Sequence, residues 1–265
     1  MKPELIVSDW NGTLITDLDD KAVLKQIGMD ELKHSALRPR RWGRVKHLFD
    51  TKKQLETLVA KYRSDRQAKG DLLRDTLEIY NREVIDGMPM RRISISLDRY
   101  AAKAVERLDA AFLEFCDAAN CLQEASILTS AYESGVRAVV HIAGHRYPNS
   151  LFLKQPLFIS GSVMLTTDWT GDVAKGLELR NYHDKTEPLL ALLTGTCYTP
   201  RTRPEAVVYM GDDYRDEPCA EIVGRFVVAP LATDEYRQHM AQRFGSKVRT
   251  PSRIYGEVYK ALTMD

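Results

Sequence analysis

The chain has 265 residues, of which 44% are hydrophobic and 28% charged, and its net charge is +1. This composition indicates a folded globular protein, excludes disordered and collagen-like classes, and gives no global attraction to nucleic acid or acidic membranes. No run approaches the ~20 apolar residues of a membrane-spanning helix. A strand-like run follows Met1-Lys2-Pro3 directly, so we expect no signal peptide. The four cysteines form no Cys-x-x-Cys pair, and we therefore expect reduced thiols and a cytoplasmic protein.

An apolar run near the N-terminus predicts a first strand that ends in an acidic turn. Residues 4–8 read Glu-Leu-Ile-Val-Ser, and the next five are Asp9, Trp10, Asn11, Gly12 and Thr13. Beyond this turn, from about residue 16, the sequence becomes typical of helices.

Residues 16–119 predict a helical insert. Thr16 and the acidic residues after it predict a helix start, and Gly87-Met88-Pro89 predicts a break between helices. A third helical stripe spans 98–119, and no long strand-like run interrupts the region. Apolar side chains recur at helical spacing in two earlier stripes: Leu55, Leu58, Val59 and Tyr62, and then Leu72, Leu73, Thr76, Leu77 and Tyr80.

After the insert, strand and helix patterns alternate. Residues 125–128 predict a strand, and a helix follows from 132 to a stop near Gly144. His141 and His145 lie on or just after this helix. We interpret both histidines as structural residues rather than as ligands.

The next elements are a short apolar segment at 157–159 and a polar hairpin over 162–179. Lys185 then precedes a leucine-rich helix that carries 189–193. The apolar run 206–210 predicts a further buried strand.

The strand at 206–210 ends in a second acidic turn, Gly211-Asp212-Asp213-Tyr214-Arg215-Asp216. Residues 226–229 predict the last strand, a capped helix starts at 233–235, and Pro251 is predicted to open the terminal helix. Strands that alternate with helices indicate βαβ units around a parallel sheet. We therefore expect an α/β fold, with a Rossmann-like core and a helical cap inserted after the first strand.

The two acidic turns together predict a divalent-cation site. In open α/β sheets, ligands bind beyond the carboxyl ends of the strands. A hard cation such as Mg²⁺ binds to carboxylate oxygens and substrate phosphate. Asp9 and Asp212 each follow a predicted strand, so we expect their side chains to meet at one edge of the sheet.

This pairing resembles the haloacid dehalogenase-like (HAD) phosphohydrolase superfamily. Its first motif reads Asp-x-Asp-Gly-Thr after an apolar run, and its fourth reads Gly-Asp-x-x-x-Asp. The resemblance covers about 1–15 and 120–265, which we expect to form the core domain, with 16–119 as the cap. The spacing of the hairpin, Lys185 and the following helix is most similar to the phosphoserine phosphatase-like branch.

The resemblance implies Mg²⁺-dependent hydrolysis of a small phosphorylated compound. It makes Asp9 the nucleophile, and Asn11, Thr129 and Lys185 the other catalytic positions. Thr129 or its neighbour Ser130 would donate a hydroxyl to the phosphate, and Lys175 is the alternative to Lys185. The implied phosphate-binding residues are Gly12, Thr13, Thr129, Ser130 and Lys185. The implied metal ligands are Asp9, the Asn11 main-chain carbonyl, Asp212, Asp213 and Asp216, some of them through water.

One position departs from the phosphatase pattern, because Asn11 replaces the second Asp of the first motif. Asn cannot protonate a leaving group or activate water, and the loss of a general acid–base group costs ~10²–10⁴-fold in rate. Activity restricted to good leaving groups is one interpretation, and an acid supplied by His34 or His47 of the cap is another. A phospholigand-binding module without turnover is the third.

The cap carries a basic segment at 38–53, whose arginines and lysines surround Trp42 and Phe49. Basic residues interleaved with aromatic ones can bind a polyanionic substrate or nucleic acid. A solvated helix face is the simpler interpretation, so nucleic acid is not the favoured partner. The sequence does not indicate the oligomeric state.

Overall fold

The structure is a computed structural model that describes residues 3–15, 22–38, 42–62, 69–122, 124–154, 158–180, 185–195 and 202–264. The described residues form one seven-stranded sheet of strand order β4-β3-β2-β1-β5-β6-β7. Neighbouring strands are parallel except for the β3–β4 hairpin. The strands are β1 (Leu5–Ser8), β2 (Ala125–Tyr132), β3 (Phe158–Thr167), β4 (Ala174–Leu179), β5 (Val207–Gly211), β6 (Arg225–Val228) and β7 (Val248–Arg249).

Helices cover both faces of this sheet, as predicted for an α/β fold, and that prediction is confirmed. The first five described helices lie between β1 and β2. They are α1 (Ala22–Ala36), α2 (Trp42–Tyr62), α3 (Lys69–Tyr80), α4 (Met90–Ala104) and α5 (Ala110–Leu122). The others are α6 (Glu133–Arg146), α7 (Leu151–Lys154), α8 (Thr186–Thr194), α9 (Glu217–Ile222), α10 (Asp234–Phe244) and α11 (Glu257–Thr263).

The core consists of two apolar layers, one on each face of the sheet. Side chains alternate between faces along a strand, so Ile6 of β1 belongs to one layer, and Leu5 and Val7 belong to the other. The Ile6 layer includes residues of α5, α6 and α11, whereas the second layer includes residues of α8, α9 and α10. Because both faces are covered, β1 and β5 are buried along their whole length.

Residues of the insert between β1 and β2 are hydrogen-bonded to the β3–β4 hairpin. A single π-helical turn, Asn81–Ile85, follows α3. The Asn81 side-chain amide donates to the Leu177 carbonyl at 2.7 Å, and its oxygen accepts the Leu177 N–H at 2.5 Å. The Ala174 N–H donates to the Met88 carbonyl at 2.9 Å. These bonds join the insert to the outer strand of the sheet.

Two predicted helices are wrong in their bounds. The stripe over 98–119 is interrupted, because α4 ends at Ala104 and Asp109 caps α5 by accepting the Ala111 N–H at 3.0 Å. The terminal helix does not open at Pro251. It begins at Glu257, directly after Gly256, whose left-handed φ of 87° lies outside helical backbone.

Several other details also differ from prediction. β2 continues through the predicted stop at Thr129 and Ser130 to Tyr132, and the short β7 had no clear pattern in the sequence. The predicted helix start at 16–19 lies outside the described residues. The division into a core and a cap stays a prediction, although α5 packs against α11 and β1. None of the helices formed by the described residues combines the length and apolar character that crossing a bilayer requires.

Candidate active site

The first and fifth strands bring the two acidic turns together. β1 and β5 are parallel neighbours with Ser8 opposite Met210, and the Asp9 N–H donates to the Met210 carbonyl at 2.8 Å. Carboxylate oxygens of Asp9, Asp212 and Asp216 lie within 4.8 Å of one another. We call Asp9, Asp212, Asp213 and Asp216 the carboxylate centre.

Glycines in both turns permit this close approach. Gly12 has a φ of +77°, and a Cβ placed on it would lie 2.2 Å from Asp212 Oδ2. A Cβ on Gly211 would lie 2.5 Å from the Asp216 carboxylate. Any other residue at these positions would displace a carboxylate, because real Cβ atoms do not approach other atoms so closely. The two glycines are therefore required by the packing of the centre.

Thr13, in the first acidic turn, is hydrogen-bonded to the carboxylate centre. Its hydroxyl donates to Asp212 Oδ1 at 2.9 Å, and the side chain is fully buried. This contact fixes the orientation of the Asp212 side chain. A role for Gly12 or Thr13 in binding phosphate stays a prediction.

Lys185 is the buried cation of the site. It immediately precedes α8 and is 2% exposed, with its Nζ 2.6 Å from Asp216 Oδ1 and 2.9 Å from Asp9 Oδ1. Burial by itself lowers the pKa of Lys185, but the charges of Asp216 and Asp9 outweigh it and hold the pKa above the ordinary range. Lys175, the alternative, is an exposed residue of β4. The structure thus places the Lys185 ammonium beside Asp9, the predicted nucleophile.

Asp216 is the fully buried carboxylate of the centre. Its carboxylate accepts hydrogen bonds from Lys185, from the Tyr209 hydroxyl at 2.8 Å and from the Asp212 N–H at 3.2 Å. Burial raises the pKa of Asp216 to about 6, although the Lys185 cation opposes the shift. With its oxygens occupied by these donors, Asp216 positions its neighbours.

Arg215 contacts both Asp213 and Ser130, and the sequence did not identify it as a site residue. The Arg215 guanidinium donates to Asp213 Oδ2 at 2.9 and 2.7 Å, and its Nη1 donates to Ser130 Oγ at 3.2 Å. Thr129 Oγ1 accepts the Ala131 N–H at 3.0 Å. Thr129 and Ser130 are both buried. The one feature of the sequence that could have indicated Arg215 is its position between Asp213 and Asp216 in the acidic turn.

The centre carries more negative than positive charge. At this site the described residues place four carboxylates beside the two cations Lys185 and Arg215, so the excess is one negative charge while Asp212 keeps its proton and two once Asp212 is ionised. Burial, together with the charges of Asp9, Asp216 and Asp213, raises the pKa of Asp212 to about 8. A divalent cation would balance this excess, and an all-oxygen ligand set fits Mg²⁺. The residues present therefore fit the predicted metal.

Asn11 and Trp10 differ in their surroundings. Asn11 is half-buried in the turn beside Gly12, whose N–H donates to the Ile15 carbonyl at 3.0 Å. Trp10 is fully buried and meets Phe112 edge to face, with ring centroids 6.2 Å apart. Trp10 thus packs in the core below the turn.

Two residues of the basic segment lie in contacts with glutamates. His47 Nε2 is 2.5 Å from Glu83 Oε2, and Lys52 Nζ is 3.6 Å from Glu56 Oε1. Phe49 is 55% exposed on α2. Part of the basic segment, 39–41, lies outside the described residues, and its role stays a prediction.

Comparisons with known proteins identify the fold. No protein-family profile matches the sequence, and no curated protein matches it. A HAD-family hydrolase from Salmonella enterica serovar Typhi matches with a TM-score of 0.56 and 12% identity, over 100% of this chain and 73% of that one. Cytosolic 5′-nucleotidase IIIB, solved with cytidine bound, matches with a TM-score of 0.57 and 14% identity, over 98% and 86% of the chains. A phospho-aspartyl intermediate analogue of phosphoserine phosphatase matches with a TM-score of 0.49 and 12% identity, over 96% and 95% of the chains. The first two matches, with TM-scores above 0.5, show that the chain has the fold of HAD-family hydrolases.

Proposed function

We propose that this protein is a Mg²⁺-dependent phosphohydrolase that forms an aspartyl-phosphate on Asp9 and favours substrates with good leaving groups. The observation that carries the proposal is the position of Asp9. It is a buried carboxylate at the carboxyl end of a parallel strand, 2.9 Å from the Lys185 cation and beside Asp212. The HAD-like fold supports the same reaction class by analogy.

Asp9 would attack phosphorus and displace the leaving group as an alkoxide, phenolate or carboxylate. Lys185 and the Thr129 hydroxyl would bind the phosphate oxygens, on which negative charge accumulates in the transition state. Lys185 is already held in place by Asp216, so its charge requires little reorientation during the reaction. Phosphorylation of Asp9 splits hydrolysis into two steps.

The predicted cation would be held by Asp9, Asp212 and the main-chain carbonyl of Asn11. When bound, Mg²⁺ would neutralise the repulsion between the attacking carboxylate and the phosphate. Asp213 and Asp216 would act around it through Arg215 and Lys185, with which they form ion pairs.

Asn11 should slow the two steps unequally. An aryl or acyl leaving group departs without a proton, so the first step needs no acid. The second step needs a water molecule to lose a proton as it attacks the aspartyl-phosphate, and the Asn11 amide cannot accept one. Phosphoenzyme should therefore accumulate, and release of the aryl product should show a burst.

The test is rapid-mixing kinetics with an aryl phosphate and Mg²⁺, beside an alkyl phosphate. We expect an aryl burst equal to the enzyme concentration, little turnover of the alkyl ester, and phosphate covalently bound to the protein. Asn11→Asp should remove the burst and speed both substrates, by up to ~10²–10⁴-fold for the alkyl ester. Asp9→Asn should abolish turnover and labelling.

Two outcomes would change the proposal. Fast alkyl turnover that Asn11→Asp does not alter would assign the proton to another group, with His34 and His47 tested next. If phosphate analogues bind but neither wild type nor Asn11→Asp turns over any substrate, the binding module replaces the enzyme.

A further inference from the structure

Two histidines on α6 form a pair that lies outside the carboxylate centre. His141 and His145 are one helical turn apart, where side chains lie on the same face. Both are exposed, so the interpretation of these residues as structural does not fit their position. Their Nε2 atoms are 3.3 Å apart, and the rings are nearly perpendicular, at 88°.

This separation matches a metal chelate. Two imidazole nitrogens bound to one tetrahedral ion at ~2.05 Å, with an angle of ~109° between them, lie about 3.3 Å apart. We propose that His141 and His145 together bind a Zn²⁺ ion, with water completing the tetrahedral coordination; Cu²⁺ and Ni²⁺, which prefer square-planar coordination, are probes of the same pair. The helix fixes the spacing of the two residues before the ion arrives, so no backbone rearrangement is needed on binding.

The surroundings of the pair tolerate an added cation. His145 lies in the last turn of α6, where the unpaired carbonyls of a helix favour positive charge. Arg137, one turn before His141, is neutralised by Glu133 at 2.8 Å and donates to the Ile159 carbonyl at 2.9 Å. Its guanidinium is therefore committed to other partners.

The pair and the carboxylate centre should select different ions. Imidazole nitrogen suits copper, nickel and zinc, whereas Mg²⁺ takes oxygen ligands. Saturating Mg²⁺ would therefore fill the carboxylate centre and leave the histidine pair open to a transition metal. This difference separates the two sites experimentally.

The test is calorimetric titration of Zn²⁺ into the full chain with Mg²⁺ present, in a non-chelating buffer. We expect one ion per chain, and at least a tenfold loss of affinity in either His141→Asn or His145→Asn, because a chelate needs both nitrogens. Asp212→Asn should retain the wild-type affinity. Substoichiometric Cu²⁺ should broaden the ring-proton resonances of these two histidines and leave those of His239 sharp, since that residue lies in α10 with its Nε2 2.9 Å from Glu217 Oε1.

Wild-type affinity in either histidine variant would overturn the proposal, as would loss of binding in Asp212→Asn alone. No titratable heat and no broadening at millimolar ion would also overturn it. Misfolding is separately controlled, because both side chains are exposed and the metal-free variants should melt at the wild-type temperature.

Discussion

Replacing Asp212 by Asn should stabilise the metal-free protein and abolish its response to Mg²⁺. The amide keeps the shape of the carboxylate and can still accept the Thr13 hydroxyl, but it carries no charge. In the folded protein the pKa of Asp212 is about 8, against an ordinary value of 3.8. The folded state therefore retains a proton that the unfolded chain releases, and the stability of wild type falls as pH rises from about 4 to about 8.

The size of the effect follows from this difference. A pKa raised by about 4, at ~1.4 kcal/mol for each pH unit, corresponds to ~6 kcal/mol. Asp212 is only half-buried, so water screens part of the penalty, and we take about half, ~3 kcal/mol. For a chain of this size ~3 kcal/mol corresponds to a rise in melting temperature of roughly 6–12 °C.

The assay is thermal unfolding of wild type and Asp212→Asn at pH 5 and pH 8.5, with EDTA or with Mg²⁺. In EDTA the variant should melt higher, mostly at pH 8.5, whereas Mg²⁺ should raise only the wild type, since an ion that binds the native state alone stabilises it. Asp213→Asn is the matched control. Burial also opposes ionisation of Asp213, but the Arg215 cation outweighs burial and lowers the pKa of Asp213. Ionised Asp213 therefore stabilises the fold, and Asp213→Asn should melt at a lower temperature than wild type. Two results would refute this prediction: a melting temperature of Asp212→Asn below that of wild type in EDTA, or an equal Mg²⁺ shift in wild type and Asp212→Asn.

Three further substitutions test the geometry. Gly12→Ala should lower the melting temperature and weaken the Mg²⁺ shift, because left-handed backbone costs ~1–2 kcal/mol for a non-glycine residue and its Cβ would collide with Asp212; an unchanged shift would contradict this. Lys185→Met should cost ~3–5 kcal/mol in urea unfolding, since it leaves Asp9 buried without its cation; wild-type stability would argue against the ion pair. Thr129→Ala should weaken vanadate binding by about tenfold, as expected for a lost hydrogen bond to a charged group, while the Mg²⁺ shift persists; undiminished vanadate affinity would transfer the role to Ser130.

The parts of the site that the sequence predicted share a local signature. Asp9 and Asp212 each follow a short apolar run that favours a buried strand, which the structure confirms, and parallel strands place such residues at one edge. Lys185 could be singled out because it precedes an apolar helix. These predictions depend only on local sequence patterns and on the assumption that the two strands are parallel in one sheet.

The parts that were missed depend on tertiary contacts. Arg215 turns back onto Asp213 and reaches Ser130 on β2, and no spacing along the chain encodes that meeting. The break between α4 and α5 at 105–109 was not predicted, because the apolar spacing of the sequence continues across these residues. In the structure Asp109 caps a new helix there. β7 has two residues, too few to display an alternating pattern.

The bonds between Asn81 and β4 also bear on how the protein meets other copies of itself. An uncovered outer strand offers unpaired N–H and C=O groups to a strand from another chain, which is a route to aggregation. Here the Asn81 amide occupies both main-chain groups of Leu177, as a partner strand would. At the opposite end of the sheet, β7 is too short to template another strand. Both ends of the sheet are thus protected from edge-to-edge growth, one by a side chain of the insert and the other by its length.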